Sequence, residues 1–129
     1  MSLLLAAVIV SCVTAGCGPP PVDANLTKNV YLELVDWHVA GLWVINSPVA
    51  WIRVANYNQV AVKDITFQYN TYDEDNTPLD EGTFTIIDTE GKSAVLRGGQ
   101  MHNYIEQYLG VVNLRSQKLR VKLLGVNAA

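Results

Sequence analysis

The chain has 129 residues, 50% of them apolar or aromatic and only 16% charged, with a mean hydropathy of +0.16. That is the length of one domain and too apolar for a disordered chain. A net charge of −3 argues against a nucleic-acid binder, and two cysteines near the N-terminus, Cys12 and Cys17, cannot staple or metallate the body that follows them.

Residues 3–15 form a run of thirteen uncharged, mostly apolar side chains. A helix needs about 20 such residues to cross the hydrocarbon of a bilayer, whereas the apolar core of an export signal needs only about 7–15. Small residues follow, Thr14-Ala15-Gly16, and then Cys17. The order resembles a bacterial lipoprotein signal peptide, in which a cysteine behind small residues is lipidated. Cys12, behind Ile9-Val10-Ser11, is the alternative site, at the expense of a shorter apolar stretch. The segment departs from the pattern in having no Lys or Arg before the run. The resemblance implies a leader over residues 1–17 and a mature chain held to a membrane by a lipid anchor. It places the protein in the bacterial cell envelope, on the periplasmic or cell-surface side.

Residues 18–28 read as a Pro-rich tether. Gly18-Pro19-Pro20-Pro21 favours an extended polyproline stretch of about 3.1 Å per residue, although the same prolines suit a rigid turn at the start of a sandwich.

From residue 29 onward the pattern is β, with Val, Ile, Thr and aromatics punctuated by turn residues. A first strand is predicted over residues 30–39, with Tyr31, Val35, Trp37 and Val39 on one face and Leu32 and Leu34 on the other. A second spans about 49–57, where Ile52 and Val54 oppose Trp51 and Arg53; residues 41–48 either turn or continue a bulged strand. The third, 62–69, has the clearest period of two, Ile65, Phe67 and Tyr69 alternating with Thr66, Gln68 and Asn70. A turn at residues 73–78, a short strand over 82–87, a break at 88–91 and a strand-like stretch at 93–96 follow. Strands over 101–109 and 119–126 complete the series, and no window carries a capped helical period. About seven short strands over residues 29–129 predict an antiparallel immunoglobulin-like β-sandwich.

Three stretches carry a family resemblance: Val54-Ala55-Asn56-Tyr57-Asn58, Val62-Lys63-Asp64-Ile65-Thr66-Phe67, and Tyr72-Asp73 with Asn76-Thr77-Pro78-Leu79. Together they are similar to the bacterial FxLYD-type immunoglobulin-like domains, related in fold to the late-embryogenesis-abundant-like sandwiches. The likeness spans about residues 31–124. Gly98 departs from it, standing where the family has the proline of a Pro-Gly turn. The resemblance implies a non-catalytic envelope module, often carried on lipoproteins.

Few residues suggest chemistry. His38 and His102 fall in separate strands, and without a body thiolate they are short of the three or four ligands that zinc requires. No nucleophile elbow or phosphate cradle is present, so no enzyme is expected. Five carboxylates crowd residues 73–81, and Asp73, Asp75 and Asp80 are candidate Ca²⁺ ligands, although the spacing fails the EF-hand pattern. On the last strand Lys118, Arg120 and Lys122 share a face suited to anionic lipid heads or an acidic partner.

The aromatic surplus is more telling, because Trp, Tyr and Arg dominate binding hot spots. Parity sets Trp51 and Arg53 opposite Ile52 and Val54, and Tyr104 and Tyr108 opposite Ile105 and Leu109. Trp51, Arg53, Tyr104 and Tyr108 are therefore the candidate interface. The expected partner is an envelope protein or membrane complex, with no cofactor beyond a conceivable Ca²⁺.

Overall fold

A computed structural model describes residues 21–42, 45–110 and 112–129. The leader, Cys12, Cys17 and the first two prolines of the tether lie outside the described residues, as do Trp43 and Val44. One helical turn, α1 (Ala24–Thr27), precedes six strands: β1 (Val30–Leu42), β2 (Ile45–Asn56), β3 (Val62–Tyr72), β4 (Pro78–Thr85), β5 (Met101–Tyr108) and β6 (Lys118–Ala128). They form two antiparallel sheets, ordered β1-β2-β5 and β4-β3-β6, packed as a β-sandwich. Among the described residues no helix is long and apolar enough to cross a membrane.

The core lies between the sheets, where Ile52, Val54, Ile65, Phe67, Ile86 and Val126 are fully buried. The third predicted strand is observed, extended at its far end to Tyr72. Strand order follows the immunoglobulin plan, with β1-β2-β5 in the places of A-B-E and β4-β3-β6 in those of C′-C-F. Six strands stand where about seven were expected. The stretch 93–96 makes only single bridges, Ser93 to Ile87 and Leu96 to Val62, because the chain there crosses from one sheet to the other. The strand expected over 82–87 begins at Pro78 instead, since a tight turn lets β4 pair with β3 from Pro78 opposite Tyr72.

Residues 21–28, expected to belong to a tether, are held against β6. Asp23 caps α1, its Oδ1 accepting from the N–H groups of Asn25 and Leu26, and its own N–H donates to the Val126 carbonyl at 2.8 Å. Val22 sits over Gly125, where a Cβ would lie 2.5 Å from the valine's own Cβ. Residues 21–28 are therefore part of the folded body. The missing Cβ of Gly125 makes room for them.

In the β1-β2-β5 sheet two bulges decide which side chains face the core. On β1, Leu34 lies opposite Ile52 and Asp36 opposite Trp51, so Val35 is an extra residue. On β5, Gln107 lies opposite Ala50 and Tyr104 opposite Ile52, so two residues, Ile105 and Glu106, span a single residue of β2. An added residue turns every later side chain to the other face. Hence Leu32 and Leu34 pack against the core before the first bulge and Trp37 after it, while Tyr31, expected on Trp37's face, is 64% exposed. On β5 the parity of the sequence inverts in the same way. Tyr104 is 8% exposed, Ile105 61% exposed and Leu109 buried again.

Candidate functional site

The outer face of the β1-β2-β5 sheet gathers most of the predicted interface. Trp51 and Arg53 alternate with the buried Ile52 and Val54, so both point away from the core. Asn103, opposite Arg53 on β5, accepts from Trp51 Nε1 at 3.2 Å and Arg53 Nε at 3.0 Å through the same Oδ1 atom. Glu33, opposite Arg53 on β1, places Oε1 3.5 Å from Nη1. That pair is exposed and contributes at most about 1 kcal/mol, so its effect is to aim the guanidinium. The indole and the guanidinium are both fixed before anything binds, which lowers the entropy cost of using them as anchors.

Next along the same face stands an aromatic pair that the sequence did not single out. Tyr31 and Tyr57 are 64% and 68% exposed, with ring centroids 5.5 Å apart in an edge-to-face arrangement. Together with Asn29 they line a shallow surface pocket. The Val35 bulge hid Tyr31, because parity alone tied it to the half-buried Trp37.

Tyr108 is exposed and, opposite Val49, shares the Trp51 face. Tyr104 is withdrawn from the interface. The β5 bulge turns it into the core, where burial raises its phenol above the usual tyrosine range. Its ring packs 4.6 Å, centroid to centroid, from that of His102. His38 and His102 do not converge: they lie on β1 and β5, on either side of β2, opposite Val49 and Val54 respectively.

The acidic candidates are used by the fold. Asp73 Oδ1 accepts from the N–H groups of Asp75 and Thr77 at 2.8 and 2.9 Å, closing the β3–β4 turn, in which Asn76 takes a left-handed φ of 65°. Asp80 is half-buried and accepts from the Asn113 N–H at 2.7 Å. Asp75 remains on the surface. Among the described residues no three His, Cys, Asp or Glu side chains are grouped to hold a metal ion.

Asp73 also makes stability depend on pH. The Thr77 N–H, helped by that of Asp75 and by Arg115, holds its carboxyl below the usual aspartate range despite some desolvation. A pKa lowered by folding contributes stability that is complete above the unfolded value, about 4, and is lost as pH falls through the folded one. The melting temperature of the native chain should therefore drop more between pH 5 and pH 2 than that of Asp73→Asn, whose amide oxygen does not titrate. Parallel melting curves for the two would rule this out.

Comparison with family models, with curated proteins and with solved structures finds no match to this chain.

Proposed function

We propose that this chain is a lipid-anchored β-sandwich of the bacterial cell envelope that acts by contact. It serves as an interaction module or accessory subunit of an envelope protein or membrane complex. The observation that carries this reading is the patch on the outer face of the β1-β2-β5 sheet. One asparagine orients Trp51 and Arg53 there, beside the exposed Tyr31 and Tyr57. Interface centres are enriched in these residue types, and rigid aromatics supply contact area with few torsions to freeze. Met101, 61% exposed on β5 opposite Ala55, adds a soft apolar neighbour to the same face.

The anchor rests on residues 3–15 and Cys17. One acyl chain binds a membrane only marginally at about 0.8 kcal/mol per buried CH₂, so stable residence requires two or more chains. The short span from Cys17 to the seated Pro21 would hold the sandwich close to the bilayer. Confined there, it would meet membrane proteins far more often than a freely diffusing domain.

The test combines two variants of the full chain, followed by in vivo cross-linking and fractionation. Cys17→Ala should remove the acyl mass from the intact protein and release it from the membrane fraction. Trp51→Ala with Arg53→Glu should leave the protein in that fraction but abolish its cross-linked adducts, the expected loss being at least about 2 kcal/mol for two hot-spot side chains. Adducts that survive the double substitution would place the contact elsewhere, and an unmodified Cys17 in membrane-extracted protein would remove the anchor unless Cys12 carries the mass.

A further inference from the structure

The two long sides of the sandwich are closed differently. Between β4 and β5 the chain itself fills the gap: Ile86 and Ala94 are buried there, and the Gln107 amide bonds both the N–H and the carbonyl of Ile87. Among the described residues, the opposite side, between β1 and β6, has no such cover over most of its length. Both strands end their sheets, so each has a neighbour on one side only. Residues 21–27 engage β6 at Val126 and Asn127, and no other described segment covers residues 118–124 of its edge.

That open side is only partly protected as an edge. The Val35 bulge interrupts β1 and lysines line β6, but neither strand carries a proline or an inward-pointing charge, the other devices that keep edges from pairing. β1 runs for thirteen residues without a proline, and its core-facing Leu34 and Trp37 are only half-buried. Across the gap Val121 and Leu123 of β6 are half-buried as well.

The outward faces of the two strands carry opposite charge. Glu33 and Asp36 project from β1, Lys118, Arg120 and Lys122 from β6, and all five are exposed. Lys118 is bonded to Asn76 and to the Glu74 carbonyl, and Arg120 lies 5.5 Å from the centre of the Tyr72 ring. None of the three basic groups makes an ion pair among the described residues.

We propose that this side binds a second copy of the chain, β1 of each copy adding to β6 of the other about a two-fold axis parallel to the strands. The geometry permits it. Thr27 Oγ1 accepts from the Val126 N–H, so β1, starting three residues later, begins at the level where β6 is ending, and the two run in opposite directions. An axis along the strands keeps each residue at its own height. It therefore sets β1 antiparallel to β6 of the second copy, and the reciprocal pair forms by the same operation. Each three-stranded sheet becomes half of a continuous six-stranded sheet, and no β1 or β6 edge is left over. Glu33 and Asp36 then face the basic stripe of the second copy, while Leu34, Trp37, Val121 and Leu123 enter a shared core. Such an interface is isologous and closes at two copies. It shares Glu33 with the Trp51–Arg53 patch but leaves Trp51 and Arg53 themselves open, and it does not depend on that patch having a partner.

Charge reversal with mutual rescue tests it, read by native mass spectrometry of the full chain released from detergent under reducing conditions. The native chain should carry two copies. Glu33→Lys with Asp36→Lys sets like charges together at both ladders and should give one copy, as should Arg120→Glu with Lys122→Glu. An equimolar mixture of the two variants restores opposite charges at both ladders and should return a two-copy species containing one of each. A single-copy native chain, two-copy variants, no rescue on mixing, or an open series of three and more copies would each overturn the proposal. All four residues are exposed, so melting curves should show folded variants; if a double variant melts early, Glu33→Lys and Lys122→Glu carry the same test.

Discussion

Asn56→Ala is expected to cost about 3 kcal/mol, more than almost any single truncation outside the apolar core. Asn56 is 1% exposed at the end of β2. Its Nδ2 donates to the carbonyls of Val60 and Leu96 at 3.0 and 3.1 Å, and its Oδ1 accepts from both the backbone N–H and the Nδ2 of Asn58. Asn58 in turn donates to the Leu26 carbonyl and accepts from Asn29, so one amide joins the β2–β3 connection, the 96–100 turn and the α1 segment. Alanine leaves the Asn58 N–H and the Val60 carbonyl without a protein partner, while the Leu96 carbonyl keeps the Val62 N–H and the Asn58 amide keeps the Leu26 carbonyl. The penalty for the orphaned N–H exceeds the worth of any one bond. Denaturant melts should show the loss as a lower midpoint with an unchanged slope. Asn56→Asp should be nearly as damaging, because a carboxylate accepts from Asn58 but cannot donate to the two carbonyls. A midpoint within experimental error of the native one would mean that the network is not a structural hub.

Gly98→Ala is the second large effect, again about 3 kcal/mol, for a different reason. A Cβ at Gly98 would lie 2.6 Å from the carbonyl carbon and oxygen of Gln59 and 2.8 Å from the Asn58 carbonyl oxygen. These are backbone atoms of the very loop that Asn56 organises, so no side-chain rotation relieves the clash. Its neighbour Gly99 has a φ of +76° and Gly91 one of +80°, with nothing within 4 Å of either added Cβ. Alanine there meets only the left-handed penalty, about 1–2 kcal/mol. Melting temperatures should therefore rank Gly98→Ala lowest, below Gly99→Ala and Gly91→Ala. The opposite ranking would mean that the backbone at residues 58–59 yields easily.

Both effects arise in stretches prominent in the sequence for other reasons. Asn56 belongs to the Val-Ala-Asn-Tyr-Asn string, and Gly98 to a Gly-Gly pair that reads as an ordinary turn. The sequence shows that a bend occurs at residues 98–99. It does not show that the first glycine is needed for close approach and the second for its φ, because the atoms that crowd Gly98 come from about forty positions earlier in the chain.

The candidate site divides in the same way. Trp51 and Arg53 were legible as outward-facing because β2 runs regularly from Ala50 to Asn56, and a period of two holds until something interrupts it. Tyr104 and Tyr31 were misassigned because their own strands carry bulges. Ile105 and Glu106 look like any other strand residues; what makes them a bulge is that a single residue of β2 lies opposite. Asn103 was invisible as the residue that orients the site, since nothing in a Met-His-Asn-Tyr string says that its amide oxygen will meet an indole and a guanidinium from residues fifty positions away.

The carboxylates of residues 73–81 make the same point. Composition shows an acidic hairpin, and a cation is the natural suggestion. Only with the chain folded do Asp73 and Asp80 prove to be engaged, one by the N–H groups of its own turn and the other by the Asn113 N–H on a loop more than thirty residues away.

By itself the sequence determined the all-β character, the regular alternation of β2, the sharp turn after Tyr72 and an uncharged, mostly apolar run ending at Cys17. Each is written in local chemistry: branched and aromatic side chains at a period of two, turn formers, an uncharged run. The tertiary structure alone decided which face each tyrosine takes, which glycine is indispensable, and which strand edges stay open. Those depend on the register between strands distant in sequence, and a one-residue slip in that register reverses a face without changing a single amino acid.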